Sequence, residues 1–364
     1  GSTVTVNATL AVGEVTQVVE VSATSLIEST VAREDALIGQ QAITDLPING
    51  RRFQDFVTLT PTVQIEAQRN GISFAGQRGI NGNVTIDGAD YNEPFFGGMR
   101  GGERSNNAFS IPQEAISQFQ VVSYGYSVEF GRSTGGILNA VTRSGSNSFH
   151  GSAFYFNRNA EFGRRDAFNR KVLDTLQQTG GSFGGPLFQD KTFFFVAGEY
   201  QKNDNPRTVI FRRLDSYIPP ASALEAACFY RSFTGCPSGS SGQEGPFTQT
   251  NNAFTTLGRV DQNFGSNHRV AVRYHFSTNT GDNAVATGDA IFPETNNALS
   301  NNGTEKDRTH NVTGQWTAIW SPRMVMETRA QYSKEIRPRL SNSTLAGIGS
   351  AIGNTGARSF LPTT

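Results

Sequence analysis

The 364-residue chain has no run of apolar residues long enough to cross a bilayer as a helix. A helical span needs about 18 to 20 of them, and the stretch Phe193–Gly198 is among the longest here. Helical membrane architecture is thereby excluded. Only 36% of the residues are hydrophobic, and mean hydropathy is −0.38. The 31 basic and 31 acidic side chains cancel, so there is no cationic footprint for nucleic acid. With two cysteines, Cys228 and Cys236, the chain is not a disulfide-dense scaffold. The four histidines, His150, His268, His275 and His310, are not paired at i, i+4 or flanked by carboxylates, so no metal site is expected. Asp87 and Asp90 near Asn92 lack the spacing of a calcium loop. The glycine pairs of the Tyr91–Arg104 loop are followed by no Gly-Lys-Ser/Thr, and Gly180–Gly185 sits in a strand pattern where glycines relieve crowding, so neither is a phosphate cradle. No nucleophile–base constellation stands out. An enzyme is the weakest reading, and no cofactor is expected. The opening Gly1-Ser2-Thr3-Val4 has no basic, apolar leader, which reads as a fragment or a processed product.

What is abundant is phenylalanine, 27 of them, in strand-length stretches with a rhythm. Phe149–Arg158, Gly180–Leu187, Thr192–Gln201, Thr255–Phe264, Arg269–Ser277, Asn311–Trp320 and Met324–Ser333 are joined by connections that are by turns very short and very long. The short ones are Gln189-Asp190-Lys191, Gly265-Ser266-Asn267-His268 and Ser321-Pro322-Arg323. Short turns on one side and long loops on the other mark a transmembrane β-barrel, with periplasmic turns and extracellular loops. The alternation agrees. Val270, Val272, Tyr274 and Phe276 share one face, for lipid, while Arg269, Arg273, His275 and Ser277 share the other, for the lumen. Val312, Trp316 and Trp320 oppose Asn311, Thr313, Gln315 and Thr317, and Glu327, Arg329 and Gln331 are placed inward. Phe193-Phe194-Phe195 fills both faces and leaves its strand ambiguous. The competing reading of these strands is a soluble sandwich.

The first half reads as a small α+β globule. Ala36–Asp45 is expected to be a short helix stopped by Pro47, and Arg51–Leu59 a second helix capped by Asn49 and ended by Pro61. Short strands follow at Ile72–Phe74, Val84–Ile86 closing on an Asp87-Gly88 turn, Phe119–Val122 and Ile137–Thr142. Pro112 stands where a helical turn begins, continued by Glu114-Ala115-Ile116.

Gln77-Arg78-Gly79, Val84–Gly88, Ile111–Val121, Glu129-Phe130-Gly131 and Gly135–Gly145, in this order, resemble the plug domain of TonB-dependent outer-membrane transporters. Leu46–Phe53, with Gly181–Leu187 and Arg259-Val260-Asp261, resembles the Oar-like branch, whose members carry a carboxypeptidase-regulatory-like sandwich before the plug. The resemblance implies an α+β plug domain followed by antiparallel transmembrane β-barrel strands. The barrel is incomplete, with about seven strands of the roughly 22 associated with a plugged lumen. The expected division is residues 1–26, the end of an upstream region; residues 27–145, the plug; and residues 146–364, the first part of the barrel.

Thr16, Gln17, Val18, Val19, Glu20, Val21, Ser22 and Ala23 resemble the TonB box, which the family pairs edge to edge with its partner. Strand addition needs an extended, proline-free, β-branched segment. An ordinary strand of the upstream region is the plainer account of these residues. The loop Tyr91–Arg104 places Tyr91, Phe95, Phe96, Arg100 and Arg104 at the plug apex, where the family touches substrate. A loop tip with no ligand is the plainer account there. Cys228 and Cys236 are expected to bridge a small extracellular loop, the alternative being two free thiols. The resemblance implies TonB-dependent, energy-coupled transport of an unidentified substrate across the bacterial outer membrane. The implied partners are TonB with its inner-membrane motor complex, outer-membrane lipid and that extracellular substrate, with no nucleic acid. The alternatives are surface adhesion or a structural role through the long loops, and export of peptide or protein.

Overall fold

The computed structural model describes residues 34–46, 48, 52–66, 71–94, 98–100, 110–126, 131–165, 169, 171, 173–210, 228, 236, 243–283, 294–295 and 302–342. The chain falls into two compact units, 1–32 and 33–364. The first, with the Thr16–Ala23 segment, lies outside the described residues.

The globule is built on a five-stranded sheet in the order β1-β6-β7-β4-β5: β1 (Glu34–Gly39), β4 (Asn83–Ile86), β5 (Ala89–Asp90), β6 (Ile116–Tyr124) and β7 (Ile137–Thr142). A hairpin of β2 (Val63–Ile65) and β3 (Ile72–Phe74) stands beside it, with helices α1 (Gln40–Asp45) and α2 (Phe53–Val57). All pairs in the large sheet are antiparallel except β4 with β7. Asp87 and Gly88, both at positive φ (50° and 73°), close β4 onto β5. Two left-handed residues match the twist of a tight hairpin, and Asp-Gly tolerates them. Phe56, Phe74, Phe119, Ile43, Ile86 and Ile116 fill the core.

Two local expectations are corrected here. Ala36–Gly39 is strand, not helix; Leu37 is exposed and Ile38 buried, and the segment completes the sheet edge on β6. Only Gln40–Asp45 is helical. The second helix begins after Arg52, whose backbone N–H and side chain both donate to Asp55, 2.8–3.1 Å away. Asn49 lies outside the described residues. Gln113–Ala115 is a single 3₁₀ turn, and Ile116 already starts β6.

The second half is one antiparallel meander. Its long strands are β8 (His150–Arg158), β9 (Thr175–Phe188), β10 (Thr192–Val209), β11 (Gly245–Phe264), β12 (His268–Asp282), β14 (Gly303–Ser321) and β15 (Met324–Ile336), each hydrogen-bonded to the next. Two short pieces add to it, β13 (Glu294–Thr295) on β10 and β16 (Arg339–Ser341) on β14. The sheet does not close. Most of the strands run further than their apolar pattern does, always away from the tight turns. Lys202–Val209 and Gly245–Ala253 are largely polar on both faces, because there neither face meets lipid.

Burial separates the two faces with period two. Arg273, His275, Ser277 and Asn279 are at most 4% exposed, while Val272 and Tyr274 are 47% and 42% exposed. On β10, Phe195 points inward and is buried; Phe194 points outward, its ring tilted against those of Phe149 and Phe183. A sandwich would bury the apolar face. This sheet buries the polar one, because the globule packs against it.

Candidate functional site

The candidate site is the seam between the globule and the inner face of the wall. Its centre is Asp87, presented by the β4–β5 turn. One carboxylate oxygen accepts from the Thr142 backbone N–H at 2.8 Å, and the other from the Thr142 hydroxyl at 2.7 Å. The second oxygen also accepts from the Arg273 guanidinium of β12, and Arg259 of β11 lies 3.6 Å from it. Arg259 and Arg273 face each other in register. Two adjacent inward cations would repel in a buried setting, and a carboxylate between them relieves that. Asp261 holds Arg259 in place with two hydrogen bonds of 2.9 Å and takes a third, also 2.9 Å, from Arg269. Arg273 donates to Thr313 at 3.1 Å. The latch therefore joins one turn of the globule to three strands of the wall.

A second anchor is the turn at Gln113–Ala115. Ala115 is fully buried against Phe195, Ala197 and Leu257 of the wall, a small apolar contact in a polar seam. The Glu114 backbone N–H donates to Glu199 at 3.0 Å, and its carboxylate accepts from Ser152 at 2.7 Å. Arg143 pairs with Glu114 at 3.5 Å and lies over the Phe195 ring. Gln178 donates to Glu199 at 3.3 Å. Glu199→Ala strands the Glu114 N–H and the Gln178 amide, and is expected to destabilise the seated globule by about 1–3 kcal/mol. Urea titration of the full-length protein, followed by protease sensitivity of the globule, measures it.

A third anchor is the Ser110 carbonyl, which accepts from Thr255 at 3.0 Å and from the His275 Nε2–H at 2.7 Å. Tyr91 packs edge-on against His275 with ring centres 5.7 Å apart. Burial, and then the Asp307 and Glu335 carboxylates, push its phenol above the ordinary value. Among the described residues the Tyr91 hydroxyl has no hydrogen-bond partner.

Of the expected apical residues, Tyr91 and Arg100 lie side by side, the Arg100 backbone N–H donating to the Tyr91 carbonyl at 3.1 Å. Tyr91 is buried against the wall, and Arg100 is half-buried 4.0 Å from Glu335 of β15. Phe95, Phe96 and Arg104 lie outside the described residues. Arg100 borders a cleft of about 400 Å³ with Asp90, Arg329, Gln331 and Ser333. A larger cleft of about 780 Å³ runs past Asp87, Asn139, Arg143, Arg259, Gln315 and Arg329. Cys228 and Cys236 are bonded to each other, with Cα atoms 5.7 Å apart. Among the described residues no three His, Cys, Asp or Glu side chains gather as metal ligands would.

Sequence reasoning missed Asp87, Glu114 and Glu199 as seam residues. The signal was partly there. Arg259, Asp261 and Arg273 are charges at inward parity on apolar-faced strands, and such charges require a partner inside.

A folded stopper held by polar contacts on the inner face of a lipid-facing meander defines the plugged outer-membrane β-barrel as a class. The chain belongs to the outer membrane beta barrel domain family, whose model matches residues 141–215 and 222–364. It is located in the outer membrane. It is 32% identical over 179 residues to the TonB-dependent transporter Oar of Myxococcus xanthus, a stretch covering 45% of this chain and 16% of that protein. It is 25% identical over 187 residues to the probable TonB-dependent siderophore receptor PirA of Acinetobacter baumannii, covering 46% of this chain and 23% of that one. The chain thus matches less than a quarter of the length of either curated relative. Among solved structures it shares its fold with a variant of the ferric enterobactin receptor of Pseudomonas aeruginosa (TM-score 0.58, 14% identity, 85% of this chain and 42% of that one). The outer membrane transporter YddB of Escherichia coli is similar at TM-score 0.59 and 12% identity, covering 85% of this chain and 40% of that one.

Proposed function

We propose that this chain is the plug, residues 27–145, and the first wall strands, residues 146–364, of a transporter that moves an unidentified substrate across the outer membrane with energy delivered by TonB and its inner-membrane motor complex. It is a carrier and not an enzyme. The observation that carries this reading is the character of the seam. The globule has its own apolar core, yet it meets the wall mainly through charges and hydrogen bonds around Asp87, Glu114 and Ser110. Such contacts exchange readily for water, whereas a core-like apolar contact would not. A stopper that must shift and reseat needs that kind of seat. The relatives named as TonB-dependent support the same reading.

On this reading Thr16–Ala23 adds as a strand to TonB. Arg100 and the cleft beside it, with Phe95, Phe96 and Arg104, meet the substrate from outside, and Tyr91 braces that loop against the wall. The Cys228–Cys236 bridge stiffens an extracellular loop. The test is deletion of Thr16–Ala23 from the full-length protein in its own host. Energy-dependent uptake and co-purification of TonB are expected to be lost while outer-membrane abundance is unchanged. Retention of both would overturn the proposal, and unchanged surface attachment beside unchanged uptake would point to an adhesin.

A further inference from the structure

The outward face of the wall changes character at one level. On β14 the outward side chains include Trp320, Trp316 and Val312, which are 53%, 37% and 40% exposed, then His310, Arg308 and Lys306. At the tight-turn end His268, Trp316 and Trp320 form one ring cluster, with centres 5.2–6.1 Å apart. Further up, the His310 ring lies tilted against Phe276, centres 4.9 Å apart, and meets the Tyr274 hydroxyl at 2.8 Å. Ten residues separate Trp320 from His310. That is about 33 Å of strand, or about 25 Å of height at a tilt near 40°, the height of the apolar band between two aromatic girdles.

Immediately above this band stand Arg308 and Lys306 on β14, with Lys334 of β15 directly opposite His310. All three are exposed, and among the described residues none of them forms an ion pair. The acids of the same stretches alternate with them in sequence and point the other way. Glu305 and Asp307 are 3% and 1% exposed on the inner face, and the Glu335 side chain is largely buried there. An outward carboxylate, Asp282 of β12, accepts from Thr250 and Thr304 at 3.3 and 2.9 Å. The period of two has thus sorted a mixed-charge sequence into a cationic outer patch, bordered on the β12 side by Asp282. It lies at the long-loop end of the strands, which is the extracellular end.

We propose that Lys306, Arg308 and Lys334 bind the phosphate groups of an anionic lipid in the outer leaflet, with Tyr274, His310 and Tyr332 lining the boundary between its headgroup and acyl chains. Lys306 and Arg308 lie about 6.6 Å apart on one face, close enough to share one phosphorylated headgroup. Each Lys or Arg held against an anionic surface is worth roughly a fivefold gain in binding. The site needs no energy coupling and stands whether or not the protein transports anything.

The test uses the full-length protein in a non-ionic detergent, titrated with diphosphoryl lipid A and read by native mass spectrometry. Replacing Lys306, Arg308 and Lys334 together by glutamine is expected to weaken binding about a hundredfold while leaving binding of the dephosphorylated lipid unchanged. The charge-keeping set Lys306→Arg, Arg308→Lys and Lys334→Arg is expected to bind as the parent does. Heat-modifiable migration on gels reports that the barrel has folded. If the triple glutamine variant does not fold, Lys334→Gln alone decides, with a loss of about fivefold expected. Equal affinity of parent and glutamine variant overturns the proposal. So does displacement of the lipid by millimolar inorganic phosphate, which would mark a free-phosphate site, and so does equal binding of the dephosphorylated lipid by the parent.

Discussion

Asp87→Ala is expected to unseat the globule while leaving it folded. Asp87 is the carboxylate between two inward guanidinium groups, and the Arg273 side chain is only 4% exposed. Removing one partner of a buried pair leaves an uncompensated charge, at a cost of about 3–5 kcal/mol. Here the loss falls on the seam, because Asp87 sits in a surface turn of the globule and contributes nothing to its apolar core. The β7 end stays paired within the globule, with Thr142 opposite Ile116 of β6, so it is not itself released. In full-length protein reconstituted into planar bilayers, the variant is expected to show frequent large conductance openings where the parent is closed. A matching loss is expected from Arg273→Ala. The double variant should lose less than the sum of the two, since each single change strands the other's partner. A closed, parent-like conductance for Asp87→Ala would show that the latch does not hold the stopper.

Phe74→Ala is expected to do the reverse, unfolding the globule and sparing the wall. Phe74 is 1% exposed on β3, and its ring fills space that two glycines leave open. A Cβ placed on Gly136 would come within 2.6–2.7 Å of Phe74 Cδ1 and Cβ, and one on Gly82 within 2.8 Å of Phe74 Cε2. With no side chain at either glycine, nothing nearby can move in to replace the ring. Large aromatic truncations of this kind cost about 3–5 kcal/mol, a large share of the roughly 5–15 kcal/mol that holds a domain folded. Limited proteolysis of the full-length protein should then cut the first 145 residues rapidly, while the barrel keeps its heat-modifiable migration. Protection of the globule equal to the parent's would contradict the packing described here.

How much of this was legible in the sequence depended on which face a residue occupied. The strands β12 and β14 could be read because a lipid-facing apolar residue and a lumen-facing polar one alternate without interruption, as in Val272-Arg273-Tyr274-His275. Their upper parts could not be read, since Thr278–Asp282 and Gly303–Arg308 carry polar residues on both faces and lose the period. The globule's β4, β6 and β7 were visible as short β-branched runs between glycines. β1 was mistaken for helix because Ala36-Leu37-Ile38 fits either period, and only its pairing with β6 decides. Asp87 looked like a turn residue, and it is one. Its second role depends on two arginines 172 and 186 positions later in the chain, and no local pattern carries that.

The wall strands β10, β11 and β14 run for 18, 20 and 19 residues, whereas a tilted strand crosses the hydrocarbon in about 9–11. The surplus stands roughly 20 Å proud of the bilayer as hydrogen-bonded sheet. An approaching solute therefore meets a stiff collar before it meets either the bilayer plane or the stopper. If the full-length wall closes as a barrel and the protein is the transporter proposed above, this rim sets the width of the entrance, so shortening the long loops should alter which molecules are captured far more than how large a molecule can enter.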